Sequence, residues 1–185
     1  CDWSSDVCSS DLIVIDTNIP FPVIEYVTDK YSEIPLFLDP VSFAKTSKIL
    51  DLIGRFHTVK PNRLETELIT GIKITDKASM HKAAEIIFDK GCQQIFITLG
   101  NKGVFYYNGN EFGQFIFEGA NVVSANGAGD AFTAGIVYGF LMLNNIKETA
   151  EFASAAAVIA LRSINTISDD LTEDNVKLVL KEERL

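Results

Sequence analysis

Short apolar runs alternate with stretches in which apolar residues recur every three or four positions, and this rhythm holds from residue 12 nearly to the end of the 185-residue chain. Strand following helix in this way predicts a parallel sheet with helices packed on its faces. Leu12 to Asp16 reads as a buried strand, Pro20 to Tyr31 as a helix with Val23, Ile24, Val27 and Tyr31 on its apolar face, and Pro35 to Asp39 as the next strand. A short helix over Thr46 to Ile53 leads to a strand at Phe56 to Lys60. Asn62 then caps a helix that runs to Thr70, where Gly71 stops it. Asp76 caps a further helix to Lys90, ahead of the strand Gln94 to Leu99. Gly103 to Tyr107 and Glu111 to Phe117 flank Asn108-Gly109-Asn110, whose residues tolerate positive φ, so this pair reads as a hairpin giving the sheet an antiparallel edge. A short strand near Asn121 to Ser124 precedes two helices that are apolar nearly all round, Ala128 to Leu143 and Lys147 to Leu161, both expected in the core. Thr172 to Glu182 reads as a surface helix. The predicted class is α/β, a three-layer, doubly wound, mostly parallel sheet with no internal domain boundary.

Composition narrows the partners. With 47% hydrophobic and 22% charged residues the chain can bury one substantial core, and its formal net charge of -9 argues against a nucleic-acid backbone or an anionic membrane as the main partner. A small anionic ligand would need locally aimed donors. No apolar run reaches the roughly 20 residues of a membrane span. Nothing near the amino end resembles a secretion signal, and three cysteines (Cys1, Cys8 and Cys92) make no disulfide framework, so a reducing cytoplasm is the expected setting. Residues 1–12 have no apolar period and read as a non-native, adapter-derived segment, set apart from residues 13–185. On that reading the natural protein begins upstream and Cys92 is its sole cysteine in this region.

The segment richest in chemistry is Asn126-Gly127-Ala128-Gly129-Asp130-Ala131-Phe132, a glycine-rich turn that opens a long apolar helix. Free backbone N–H groups at a helix start form an anion site, and glycines let a phosphate approach closely. Asp130 is out of place there unless it has chemical work, and accepting a proton from an attacking hydroxyl is such work, worth about 10² to 10⁴ in rate. The competing reading is a tight strand-to-helix turn whose acidic residue favours the helix dipole.

Gly127-Ala128-Gly129-Asp130, followed by a small-residue helix through Ala134-Gly135, resembles a signature of the ribokinase-like (PfkB-type) carbohydrate kinases. Three more segments agree with it in order. Lys60-Pro61-Asn62-Arg63-Leu64-Glu65 is similar to the family's Asn-x-x-Glu element, which places Asn62 and Glu65 on one helix face, where they can order the water shell of Mg²⁺; the alternative is a helix cap beside a solvated glutamate. Thr98-Leu99-Gly100-Asn101-Lys102-Gly103 resembles the strand-end turn that contacts nucleotide phosphates, with Thr98 and Gly100 offering donors, Gly103 in the same turn and Lys102 a further charge; the alternative is a simple glycine turn between strands with Lys102 solvated. Phe152 to Ala157 resembles the alanine-rich helix whose small residues, Ser154 among them, flank the adenine; close helix packing would look the same. The resemblance implies transfer of the γ-phosphoryl group of ATP to a hydroxyl, with Asp130 as base, the Gly127 to Gly129 turn stabilising the transferring group, and Asn126 standing where the family often has threonine. Ser124 occupies the place, six before Asp130, where cation-using relatives commonly carry an acid, which argues against activation by K⁺.

Within the family, Leu38 to Ser42, His57 to Asn62 and Ala160 to Ser168 are most similar to pseudouridine kinases. The resemblance implies that residues gripping the acceptor come from an amino-terminal half and lid, expected to be missing here. Three functions therefore remain open: a pseudouridine 5′-kinase, a simple sugar kinase of the fructokinase or ribokinase type, and a non-catalytic nucleotide-binding fragment. A homodimer is the expected full-length assembly. His57 and His81 read as a strand-edge and a surface histidine, and Cys92 as inert.

Overall fold

The computed structural model describes residues 11–117, 122–143 and 145–183. Six strands form one sheet in chain order: β1 (Ile13–Asp16), β2 (Leu36–Asp39), β3 (Thr58–Val59), β4 (Gln94–Thr98), β5 (Val104–Tyr107) and β6 (Phe112–Phe115). The first four run parallel and the last two close an antiparallel hairpin. Because each right-handed crossover steps to the next strand in one direction, the connecting helices all fall on one face. These are α1 (Phe21–Lys30), α2 (Phe43–Thr46) with a 3₁₀ stretch from Ser47 to Arg55, α3 (Arg63–Thr70) and α4 (Lys77–Asp89). The chain then crosses over and covers the other face with α5 (Ala128–Met142) and α6 (Ile146–Arg162), and α7 (Glu173–Glu183) packs outside α6.

The pleat sorts the core. Leu36, Leu38, Ile95, Ile97, Phe105 and Tyr107 point to the α1 to α4 face, while Phe37, Phe96, Val104 and Tyr106 meet Phe132, Ile136, Ala150 and Ala153 of α5 and α6. Central strands buried on both sides are why these segments read as unbroken apolar runs. No helix among the described residues is long and apolar enough to cross a membrane.

Four expected elements differ. The helix expected over Thr46 to Ile53 starts at Phe43 and passes into 3₁₀ winding at Ser47; the hydroxyls of Thr46 and Ser47 bond the Ser42 and Ala44 carbonyls and compete with the α-helical ladder. The strand expected from Phe56 to Lys60 contracts to two residues. Val122 to Ser124 form no strand: the N–H groups of Val123 and Ser124 bond the Leu161 carbonyl at the end of α6 instead, and Asn121 lies outside the described residues. Finally, α6 is core throughout its middle, but α5 buries only one side and leaves Leu141 and Met142 exposed.

Helices α5 and α6 approach closely because of two glycines. A Cβ at Gly135 would overlap Ala153, and one at Gly139 would overlap the Thr149 side chain. Gly135→Val is therefore expected to force the helices apart and destabilise the chain by about 1–3 kcal/mol, read as a lower denaturation midpoint. An unchanged midpoint would show that this contact does not limit stability.

Candidate active site

The carboxyl ends of the parallel strands gather the charged groups. Asp39 is the last residue of β2, and Lys60 follows β3 directly, its N–H bonded to the Leu38 carbonyl at 3.0 Å. Lys60 Nζ lies 2.9 Å from Asp39 Oδ2, with the two side chains only 9% and 14% exposed. An ammonium is tolerated at this depth because a carboxylate neutralises it. Thr98, the last residue of β4, donates its N–H to the Pro61 carbonyl at 2.9 Å, which brings the start of α3 beside the β4 end.

Helix α5 points its amino end at this pair. The Thr133 hydroxyl is 3.2 Å from Asp39 Oδ2 and 3.0 Å from the Gly129 carbonyl, and a Cβ built on Gly129 would stand 3.8 Å from Lys60 Nζ. No side chain caps the helix, so the first-turn N–H groups remain available. The Gly127 backbone is left-handed at φ +79°, and a side chain there would also strike the Thr166 carbonyl, so only glycine fits. An ammonium and the positive end of a helix dipole thus converge on one spot, a combination that favours a phosphate. Asp130, in the first turn, is exposed and carries no partner among the described residues. Asn126, also exposed, leaves its side chain toward solvent while its N–H bonds Ser124 Oγ at 3.2 Å.

Asn62 and Glu65 meet only part of the expectation. They form a reciprocal cap: Asn62 Oδ1 accepts from the Glu65 N–H at 3.0 Å, and Glu65 Oε2 accepts from the Asn62 N–H at 2.8 Å. The Asn62 side chain is thus turned into its own helix. Glu65 is not the solvated residue of the alternative reading: it is 2% exposed, and Oε1 has no hydrogen-bond partner. Burial pushes its carboxyl above the ordinary range; the charge of Asp39 adds to this, while the Asn62 hydrogen bonds and Lys60 oppose it.

An orphaned, buried carboxylate oxygen within electrostatic reach of a second carboxylate is the donor set Mg²⁺ uses when phosphates and water complete its shell. Glu65 and Asp39 fit that ion, and Asn62 contributes by fixing Glu65. Among the described residues no cluster of three or more acidic, histidine or cysteine side chains could hold a metal by itself.

The loop after β4 brings Thr98, Gly100 and Gly103 to the same edge. Gly100 has φ +62° with open space around it, whereas Gly103, at φ +77°, is pressed against the Phe115 backbone. Ser154 is not brought to the strand ends. It is buried in the middle of α6 with its hydroxyl donated to the Ala150 carbonyl at 2.7 Å, and the α5–α6 contact accounts for the small residues around it. His81 is less a surface residue than expected, since its ring packs edge-on against Tyr107 and Phe112. His57 stacks on Phe37 and burial pushes its pKa down. Burial also pushes the Cys92 thiol up to about 12, leaving it inert. A cavity of about 600 Å³ lined by Thr28, Arg55, His57 and Gln93 opens on the other edge of the sheet, at the amino ends of β2 and β4. It holds none of the phosphate-directed groups.

Sequence reasoning missed Asp39, Lys60 and Thr133 as site residues. The available signal was a charged residue ending each of two apolar strands, the position where open α/β sheets bind ligands.

The chain is similar to known proteins along most of its length. The family model described as pfkB family carbohydrate kinase matches residues 24–173. A pseudouridine kinase of Escherichia coli (strain K12) is 32% identical over 166 residues, covering 89% of this chain and 53% of that protein. A ribokinase of Haemophilus influenzae is 29% identical over 161 residues, covering 85% and 51%. A solved Clostridium perfringens structure described as a candidate sugar kinase superposes with a TM-score of 0.90 at 33% identity, covering 94% of this chain and 55% of that one. The chain thus spans about half the length of the curated relatives it matches.

The state of Glu65 has a measurable consequence. Its raised carboxyl pKa means that ionising it in the folded chain costs stability as pH rises from the ordinary carboxyl value of 4.5 through the raised value, and no such cost exists below 4.5. Glu65→Gln, which keeps an acceptor for the Asn62 N–H, is expected to melt above the parent at neutral pH, with the gain vanishing near pH 4. Thermal melts across that range check it; a gain that grew toward acid would reverse the assignment.

Proposed function

Since this chain belongs to the pfkB family of carbohydrate kinases, we propose that it is the carboxyl-terminal, nucleotide-binding part of an ATP-dependent phosphotransferase that acts on a hydroxyl of a nucleoside or sugar. The observation that carries this reading is the exposed carboxylate of Asp130, without a partner among the described residues, in the first turn of α5, whose bare amino end approaches the Lys60 ammonium at Gly129.

In the reaction so proposed, the acceptor hydroxyl gives its proton to Asp130 as its oxygen attacks the γ-phosphorus, and the bond to the ADP oxygen breaks. The N–H groups of Ala128, Gly129 and Asp130 and the Lys60 ammonium meet the charge on the transferring phosphoryl group, so positioning and electrostatics supply most of the catalysis. Asp39 holds Lys60 in place before the phosphate arrives and shares it afterwards. Gly100 keeps the loop after β4 open to the nucleotide, Gly103 lets that loop close on the Phe115 backbone, and Thr98 and Asn126 serve as donors. Mg²⁺, when bound, would neutralise phosphate charge, and Glu65 and Asp39 would hold it.

Pseudouridine is the acceptor best supported, because the segments Leu38 to Ser42, His57 to Asn62 and Ala160 to Ser168 resemble pseudouridine kinases and the chain is similar to one such enzyme. A simple sugar is the second reading, favoured by the similarity to a ribokinase. Turnover of a panel of nucleosides and sugars, measured with an open reading frame that contains this chain, separates the two. In that protein Asp130→Asn is expected to lower kcat by about 10² to 10⁴ with ATP binding retained, since the variant loses the base and keeps the backbone donors. An Asn variant with parental turnover would remove Asp130 from the chemistry.

A further inference from the structure

The turn after β2 is held in a conformation its residues do not prefer. Val41 has φ +63° and is the one non-glycine with positive φ among the described residues. The Ser42 N–H bonds the Pro40 carbonyl at 2.7 Å, so Pro40-Val41-Ser42 is a γ-turn with positive central φ, the strained form of that turn. A β-branched side chain makes it costlier, where glycine would adopt it freely. Burial does not compensate, because Val41 is 43% exposed.

The surroundings impose the conformation. The Thr17 N–H bonds the Asp39 carbonyl at 3.3 Å, and the Thr17 hydroxyl bonds the Pro40 carbonyl. The proline ring restricts the backbone ahead of Val41. Beyond it, the Ser42 carbonyl accepts from the N–H groups of Lys45 and Thr46 and from the Thr46 hydroxyl, which ties the turn to α2. The product of this arrangement is one hydrogen bond, from the Val41 N–H to Asp39 Oδ1 at 3.1 Å. It is the only one at Oδ1 among the described residues, and it leaves Oδ2 to Lys60 and Thr133.

We propose that Val41 is a positioning residue: its strained turn fixes the Asp39 carboxylate, and through it the Lys60 ammonium, in the orientation that phosphates require. Strain that the surrounding structure over-determines, found beside a candidate site, is characteristic of preorganisation. The proposal rests on the kinase reading above and adds a residue that touches no reacting atom.

Val41→Gly tests it, since glycine retains the N–H and accepts the turn but loses the stiffness of the β-branched residue. In an open reading frame that contains this chain, the glycine variant is expected to melt about 2–4 °C higher through release of strain. Its kcat should fall about tenfold to a hundredfold with KM for the acceptor unchanged. Half-saturation by Mn²⁺, followed by electron paramagnetic resonance, should move to higher concentration, whereas Val41→Ile should keep the parental values. A glycine variant that melts higher yet turns over at the parental rate would give the turn a structural role only and overturn the proposal. One that melts lower, or fails to fold, would remove the strain on which the proposal stands. Asp130→Asn and the parent measured alongside keep the two ideas apart: an inactive Asn variant beside a fully active glycine variant sinks the positioning role alone, and a parent that shows no ATP-dependent phosphorylation of any acceptor in the panel sinks the kinase reading itself.

Discussion

The arrangement at the strand ends depends on one buried ion pair. Lys60 reaches Asp39 at 2.9 Å in a place from which water is nearly excluded, and the amino end of α5 is set directly above them. An unpaired ammonium there would cost several kcal/mol, and removing either partner of a buried pair costs about 3–5 kcal/mol. The pair therefore does not exist for stability, which an apolar contact would supply as well. It holds a cation beside a helix terminus that is itself electropositive, a placement that becomes favourable only when an anion arrives.

The rest of the site follows from that constraint. Parallel strands bring Asp39, Lys60 and Thr98 to one edge, because β2, β3 and β4 share a direction and end at nearly the same level. The reciprocal cap at Asn62 and Glu65 starts α3 at that edge and buries a second carboxylate with one oxygen unpaired. Crossing to the opposite face, the chain can begin α5 over the same spot only by passing through Gly127, whose left-handed backbone and contact with Thr166 exclude a side chain. The Lys60 ammonium and the amino end of α5 thus come from different layers of the fold, and the sheet edge is where those layers meet.

Much of this was legible in the sequence. The alternation of strands and helices, the cap at Asn62, the stop at Gly71, the hairpin at Asn108-Gly109 and the glycine turn before Asp130 are local features, each dictated by the conformational preferences of a few adjacent residues. The strand expected near Ser124 and the regular helix expected at Thr46 failed for the opposite reason. At those places the competing hydrogen-bond partner was a carbonyl of a distant helix, Leu161, or side-chain hydroxyls turned back on the ladder.

By itself, then, the sequence determined most of the segments that become strands and helices, and where a glycine-rich turn with an acidic residue stands, since these depend on neighbours in the chain. Only the tertiary structure decided that Lys60 and Asp39 pair, that Thr133 joins them from 94 positions away, and that Glu65 is buried with an oxygen left over. It also decided that Ser154 turns its hydroxyl into its own helix. Pairing and desolvation of charges depend on which strand ends lie side by side and what covers them, and nothing in the local sequence encodes that geometry.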